Sequence, residues 1–204
     1  MKRIAFFVLA VIACATAVGV EYEYGGQQEA ARHWVQVCQV KANMGGKLQN
    51  WGTGLLASRD DDFGYVLTAN HVIENAKGMI WCRFPGAKMY ERAEVALQDK
   101  DNDVAVLRID RMQFPELSFA KSYPATGEIL ILAGWSNGKI IIHSGTMDGF
   151  LLVAHGQNRL SCIAGSPGGH SGGGVFNGRG ELVGVITESD GSMTSAACGG
   201  LLKR

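Results

Sequence analysis

The chain has 204 residues, 47% of them hydrophobic and 19% charged, which excludes a disordered chain and one embedded throughout in a membrane. Nineteen basic and nineteen acidic residues cancel, so no net basic field argues for nucleic acid. With 28 glycines against 4 prolines, the composition favours many tight turns in one domain or two small ones.

In chain order, the first element is a leader. Met1-Lys2-Arg3 is positive, Ile4 to Ala13 is apolar, and Ala15-Thr16-Ala17 is a small-x-small site. This plan predicts a secretory signal peptide over residues 1–17, too short in its apolar run to span a bilayer comfortably. Its removal would leave 17 basic against 19 acidic residues, a net charge of −2. Val11-Ile12-Ala13-Cys14 also fits a lipobox, in which Cys14 would carry lipid and tether the protein to a membrane. Residues 18–27 are polar and glycine-containing and read as a linker. Setting Cys14 aside, the even set Cys38, Cys82, Cys162 and Cys198 in an exported chain predicts two disulfides. Cys38–Cys82 and Cys162–Cys198 close the shortest separate loops, each contributing about 4 kcal/mol by loop entropy. No CxxC motif or His/Cys cluster points to zinc, and no cofactor is expected.

Short apolar runs separated by turn signals follow. Strands are predicted at 34–40, 52–57, 65–68, 79–84, 93–98 and 104–109, then at 128–133, 139–143, 150–154 and 160–164. Asp60, Asp61 and Asp62 read as a solvated turn. Val175 to Val183 reads as a hairpin turning at Asn177-Gly178, and 183–187 is the last strand expected. No helix of three amphipathic turns stands out, so the pattern predicts an all-β protein of barrels or sandwiches. Residues 114–124 are the expected crossover, dividing the chain into halves at 28–115 and 116–204.

Chemistry concentrates in Gly169-His170-Ser171-Gly172-Gly173-Gly174. A serine among glycines offers an exposed hydroxyl and main-chain N–H groups open to a ligand. The five histidines, His33, His71, His143, His155 and His170, all precede Ser171. The Gly-x-Ser-x-Gly elbow of α/β-hydrolases needs a histidine after the serine, so that order is excluded, whereas His, Asp, Ser remains open.

Two further motifs supply partners: Thr68-Ala69-Asn70-His71-Val72, and Asp103 opening Asp103-Val104-Ala105-Val106-Leu107. With Ser171 they lie in the order His, Asp, Ser, 32 and then 68 positions apart. From Gln36 to Thr187 the sequence resembles the trypsin-like serine peptidases, most closely the HtrA (Deg) branch. The resemblance implies two six-stranded antiparallel β-barrels of the chymotrypsin type with the active site between them. His71 would be general base, Asp103 its orienting carboxylate and Ser171 the nucleophile. The N–H groups of Gly169 and Ser171 would form the oxyanion hole, a donor whose loss typically costs about 3 kcal/mol of barrier lowering. Asp101, two residues before Asp103, is expected to be a turn residue.

Two departures stand out. His170 replaces the family's Asn or Asp before the serine, and Gly174 replaces its usual proline, which is expected to loosen the loop. Only 17 residues follow Thr187, so the PDZ domain of many HtrA proteins is not expected. Gly165 matches the floor of the specificity pocket, and Thr187, Glu188 and Ser189 match the strand edge that pairs with an extended peptide. An uncharged floor predicts a small or medium apolar residue before the scissile bond. Glu188 at the rim would favour a basic neighbour. The expected partners are protein or peptide substrates; the expected activity is that of an exported, secreted or periplasmic, serine endopeptidase. A catalytically silent module of the same fold is the alternative.

Overall fold

Side chains alternating between interior and exterior with a period of two set the architecture. The computed structural model describes residues 20–22, 36–110, 117–153 and 157–198. In strand β2 (Val37–Gly45), Cys38, Val40 and Ala42 are fully buried while Gln39, Lys41 and Asn43 face outward, half-buried. Strands β3 (Leu48–Arg59), β4 (Phe63–Ala69), β5 (Ile80–Arg83), β6 (Glu91–Asp99) and β7 (Val104–Asp110) join it in a closed barrel of order β2-β3-β4-β7-β6-β5. One helical turn, α1 (Asn70–Ile73), follows β4.

The second barrel is built from β8 (Ile129–Ser136), β9 (Lys139–Val153), β10 (Gln157–Ile163), β11 (Gly174–Phe176), β12 (Leu182–Ser189) and β13 (Met193–Cys198). Its sheet runs β9-β10-β13-β12-β11-β8, and the β8–β9 pairing closes it. The protein is therefore all-β, with two closed six-stranded antiparallel barrels, as expected. Val20–Tyr22, inside the expected linker, form strand β1, parallel to β9 with Val20 opposite Ile140. The expected leader with Cys14, the rest of the linker, His33, His155 and the start of the crossover lie outside the described residues.

Three apolar clusters hold this together. Leu107, Ile109, Val66 and Phe84 fill the first barrel, and Leu130, Leu132, Met147 and Leu160 fill the second. The third lies between the barrels, where Val37, Leu55 and Leu67 of the first meet Trp135, Ile142, Phe176 and Leu182 of the second. Each such side chain, fully buried, contributes roughly 1.5–3 kcal/mol before conformational entropy is charged against it. The described end of the crossover is stitched to both halves: the Leu117 N–H donates to the Ala57 carbonyl and the Ala120 N–H to that of Leu182.

Several expectations are corrected. Runs 139–143 and 150–154 belong to one 15-residue strand, β9, and β13 was not anticipated. The hairpin between β11 and β12 does form, but its left-handed residue is Gly180 (φ 74°). The Asn177 side chain instead accepts from the N–H groups of Arg179 and Glu181. The two-residue Asn-Gly turn lies at Asn137 (φ 49°) and Gly138 (φ 81°), joining β8 to β9. Gly174 does not loosen the loop: it pairs with Val185 and Ala133, and the Phe176 ring fills the space its side chain would need.

The expected disulfides are absent as well. Cys38, Cys82 and Cys162 form no bridge. Cys82 lies opposite Val40, so Cys38 is its diagonal neighbour. Diagonal partners lie farther apart than directly opposed ones, and here the two thiols meet without a covalent bond. Burial, then a hydrogen-bond contact with Cys82, pushes the Cys38 thiol pKa well above its usual range. Register also separates the second pair, since Cys162 faces Thr194 and Cys198 lies four residues further along β13. That offset is about 13 Å at the strand rise.

Candidate active site

The single turn of α1 needs acceptors for its first N–H groups, and its N-cap residue, Ala69, has no side chain to offer one. Asp103 supplies both. The Asn70 N–H donates to the Asp103 carbonyl at 3.1 Å, and the His71 N–H donates to Asp103 Oδ1 at 2.8 Å. Asp103 itself is left-handed (φ 55°), a conformation aspartate tolerates better than most residues. The turn ahead of it is tied by the Asp103 N–H to the Lys100 carbonyl, and Asp101 is exposed there as expected.

The second carboxylate oxygen of Asp103 lies 2.7 Å from His71 Nδ1. With Nδ1–H donated to the carboxylate, Nε2 is left as the basic nitrogen. This hydrogen bond raises the His71 pKa above the ordinary imidazole value. Burial pulls the other way, as does the positive charge of Arg159. Asn70 is fixed on the far side, its Oδ1 accepting from Gln98 Nε2 at 3.0 Å.

Ser171 sits at the tip of a turn closed by the Gly173 N–H donating to the His170 carbonyl at 2.7 Å. Its own carbonyl accepts from the Thr53 N–H of the first barrel at 2.8 Å. The Gly172 N–H donates to Ile186 O on β12, and the Ile186 N–H returns to Gly173 O. The serine backbone is thus clamped between β3 and β12. A side chain on Gly52 would meet Val72 and the Ser171 carbonyl, and one on Gly172 would overlap Thr53 and Thr68. These contacts bring the loop against the end of β4, where His71 begins.

Thr53 is the residue that sequence reading missed. Its hydroxyl donates to the Gly169 carbonyl at 2.7 Å and accepts from the Trp135 N–H at 2.8 Å. It thereby fixes the peptide plane after Gly169, which is left-handed (φ 95°) and too close to Trp135 O for any side chain. Among the described residues, the N–H groups of Gly169 and Ser171 donate to no protein acceptor. The flanking glycines of Gly52-Thr53-Gly54 were the available signal, since glycine within a strand marks close backbone approach.

The departure at His170 has a structural counterpart. Its ring is 1% exposed, stacks on His143 of β9 at 5.5 Å, and occupies the space that the missing side chain of Gly134 leaves. Its two ring nitrogens have no hydrogen-bond partner among the described residues. Burial, then the charge of His143, pushes its pKa down to about 3. At the expected pocket floor, Gly165 packs against the Gly191 carbonyl, leaving no room for a side chain. The Ser166 N–H donates to Ser189 Oγ, and Thr194 Oγ1 lies 2.9 Å from Ser166 Oγ, so hydroxyls line this corner. The Thr187 hydroxyl turns inward to the Ser195 carbonyl.

Two six-stranded antiparallel barrels joined by a shared apolar cluster, with a histidine–aspartate pair at the end of β4 in the first, match the chymotrypsin-like architecture. The family model described as the trypsin-like peptidase domain matches residues 52–185, and the chain belongs to that family. It is 32% identical over 167 residues to a probable periplasmic serine endoprotease, DegP-like, of Ectopseudomonas mendocina, covering 74% of this chain and 32% of that protein. It is 28% identical over 162 residues to the serine endoprotease DegS of Haemophilus influenzae, covering 76% and 46% respectively. The chain therefore spans a third to a half of the length of these relatives. Among solved structures, a protease of M. tuberculosis in its active form superposes with a TM-score of 0.77 at 19% identity, over 90% of this chain and 86% of that one. The serine endoprotease from Yersinia pestis superposes with a TM-score of 0.76 at 24% identity, over 89% and 65%.

Proposed function

We propose that this protein is an exported serine endopeptidase that cleaves peptide bonds through an acyl-enzyme, with Ser171, His71 and Asp103 as its triad. The observation that carries the reading is the 2.7 Å bond between His71 Nδ1 and Asp103 Oδ2, which leaves Nε2 as the basic nitrogen, while the glycine-flanked Ser171 loop packs against Val72 and the end of β4. Nε2 takes the proton of the Ser171 hydroxyl as its oxygen attacks the scissile carbonyl. The Asp103 carboxylate stabilises the imidazolium that results. The unengaged N–H groups of Gly169 and Ser171 receive the oxyanion, held in place by the Thr53 bond to the Gly169 carbonyl. The imidazolium then protonates the departing amine, and a water deprotonated by the same nitrogen hydrolyses the ester. Gly165 bounds a small, uncharged pocket for the residue before the cleaved bond, and the edge at Thr187–Ser189 pairs with the peptide backbone. Periplasmic location is the reading suggested by the names of the DegP-like relatives.

The test is digestion of a peptide library by the purified full-length chain. Cleavage by wild type after small or medium apolar residues, and none by Ser171→Ala, is the expected result. A folded wild type that cleaves nothing would favour the silent module of the same fold.

A further inference from the structure

Arg159 is a charged residue at the edge of the inter-barrel cluster to which the proposed chemistry assigns no task. It lies on β10 opposite Ala197 of β13, which in turn faces Val185 of β12. Cross-strand partners share a face. Ala197 and Val185 belong to the apolar cluster between the barrels, so Arg159 emerges from the rim of that cluster. Across β9 it faces Leu151, which is exposed and apolar.

A guanidinium presents five N–H donors in a fixed fork. The Arg159 side chain is only 14% exposed, and its buried Nε has no hydrogen-bond partner among the described residues. Its ion partner is Glu188, but at 3.9 Å, beyond hydrogen-bonding distance, and the Glu188 side chain is 78% exposed. The fork is therefore sheltered and largely unspent, while the acid beside it can swing into water. Glu188 belongs to the Thr187–Ser189 edge, and the bulge between Ile186 and Glu188 turns that edge out of register with β13. Arg159 is also near enough to His71 for its charge to oppose protonation of the imidazole. A cation bounded by the peptide-pairing edge and the general base lies along the path of the substrate segment preceding the cleaved bond.

We infer that Arg159 is a specificity determinant that binds a carboxylate side chain of the substrate on the N-terminal side of the scissile bond, displacing Glu188. The inference rests on the peptidase reading above and adds a substrate class to it. A substrate Glu or Asp accepts two parallel N–H bonds from the fork, which the more distant Glu188 does not. Glu188 becomes the competitor that such a substrate must replace, so the basic preference expected from its charge alone is reversed. The signal in the sequence was faint, since one arginine in a polar strand looks like any solvated charge.

The test uses matched fluorogenic peptides carrying Glu, Gln or Lys at each of the three positions before the cleaved bond, with the full-length chain. Fluorophosphonate labelling of Ser171 reports independently that the catalytic groups are assembled. Wild type is expected to show about a tenfold higher kcat/KM for Glu than for Gln at one of these positions, and the lowest value for Lys. Arg159→Gln should still label while its Glu/Gln ratio falls to about one. Arg159→Lys should retain part of the ratio, and Glu188→Gln should raise it. If Arg159→Gln does not fold, the last two variants decide. Labelling and cleavage by wild type with a ratio near one at all three positions overturns the inference and leaves the peptidase reading intact. A folded wild type that neither labels nor cleaves overturns the peptidase reading, and this inference with it.

Discussion

Asp103 does two jobs at once. One carboxylate oxygen and its carbonyl start the helical turn that presents His71, and the other oxygen holds the ring. Asp103→Asn keeps the shape but offers an amide where an anion is needed, so the catalytic rate should fall roughly 10,000-fold. The hydrogen bond to Asp103 raises the His71 pKa, and in its proposed role as general base His71 works only when neutral. Activity of the wild type should therefore rise with pH through a midpoint above that of an ordinary histidine. In the Asn variant that midpoint should move to lower pH, measured as the acidic limb of kcat/KM. Thr53 is a second single-residue control point. Thr53→Val deletes the acceptor of the Trp135 N–H and the donor to the Gly169 carbonyl, costing about 2 kcal/mol of stability by denaturant titration. It should also slow catalysis, because the loop proposed to hold the oxyanion loses its tether to the first barrel.

At the scale of elements, the loop carrying Ser171 rests on the His170–His143 stack. The folded pKa of His170 is about 3, while the unfolded chain titrates near the ordinary histidine value of about 6.5. Between these values the unfolded chain binds more protons than the native one, so stability falls as pH drops from about 6.5 towards 3. The pair His71–Asp103 acts oppositely: its contribution is complete below about 6.5 and fades as pH rises through the raised folded pKa of His71. Thermal melts between pH 7 and 4 should show a steeper loss for wild type than for His170→Asn. Equal slopes would show that His170 is not held neutral by burial.

The sequence made some elements plain and hid others, for physical reasons. Val66, Leu67 and Val104 to Leu107 are β-branched or apolar in short runs, and their strands were evident. Strand β13 was not, because Ser195, Ala196 and Ala197 carry little β propensity and pair only because β10 and β12 flank them. The Asn-Gly rule identified the right turn chemistry at the wrong place, since Asn177 spends its side chain on two backbone N–H groups. Cysteine counting failed because pairing depends on register, which composition does not carry. The three motif residues were legible as motifs. The bonds of Thr53, the burial of His170 and the idle fork of Arg159 depend on approach between the two halves, which no local pattern encodes.

For the whole molecule, the shared cluster between the barrels makes the halves interdependent. Trp135 belongs to β8, yet its Nε1–H donates to the Val37 carbonyl of β2 at 3.1 Å, and Arg83 of β5 lies over its ring. A single unfolding transition, with calorimetric and van't Hoff enthalpies equal, is expected for the wild type. Trp135→Ala opens the interface and strands the Val37 carbonyl, costing about 3–5 kcal/mol and separating the transition into two. A single shared transition in that variant would mean that other contacts couple the barrels.

The proposed site draws its residues from both barrels, and the Ser171 hydroxyl is its proposed nucleophile. The most direct measurement is to treat the folded protein with a fluorophosphonate and locate the adduct by peptide mass spectrometry. A single phosphonyl group on Ser171 is expected, its formation slowed strongly by His71→Ala and absent in Ser171→Ala. A folded wild type that stays unmodified, or that carries the group on another residue, would contradict it.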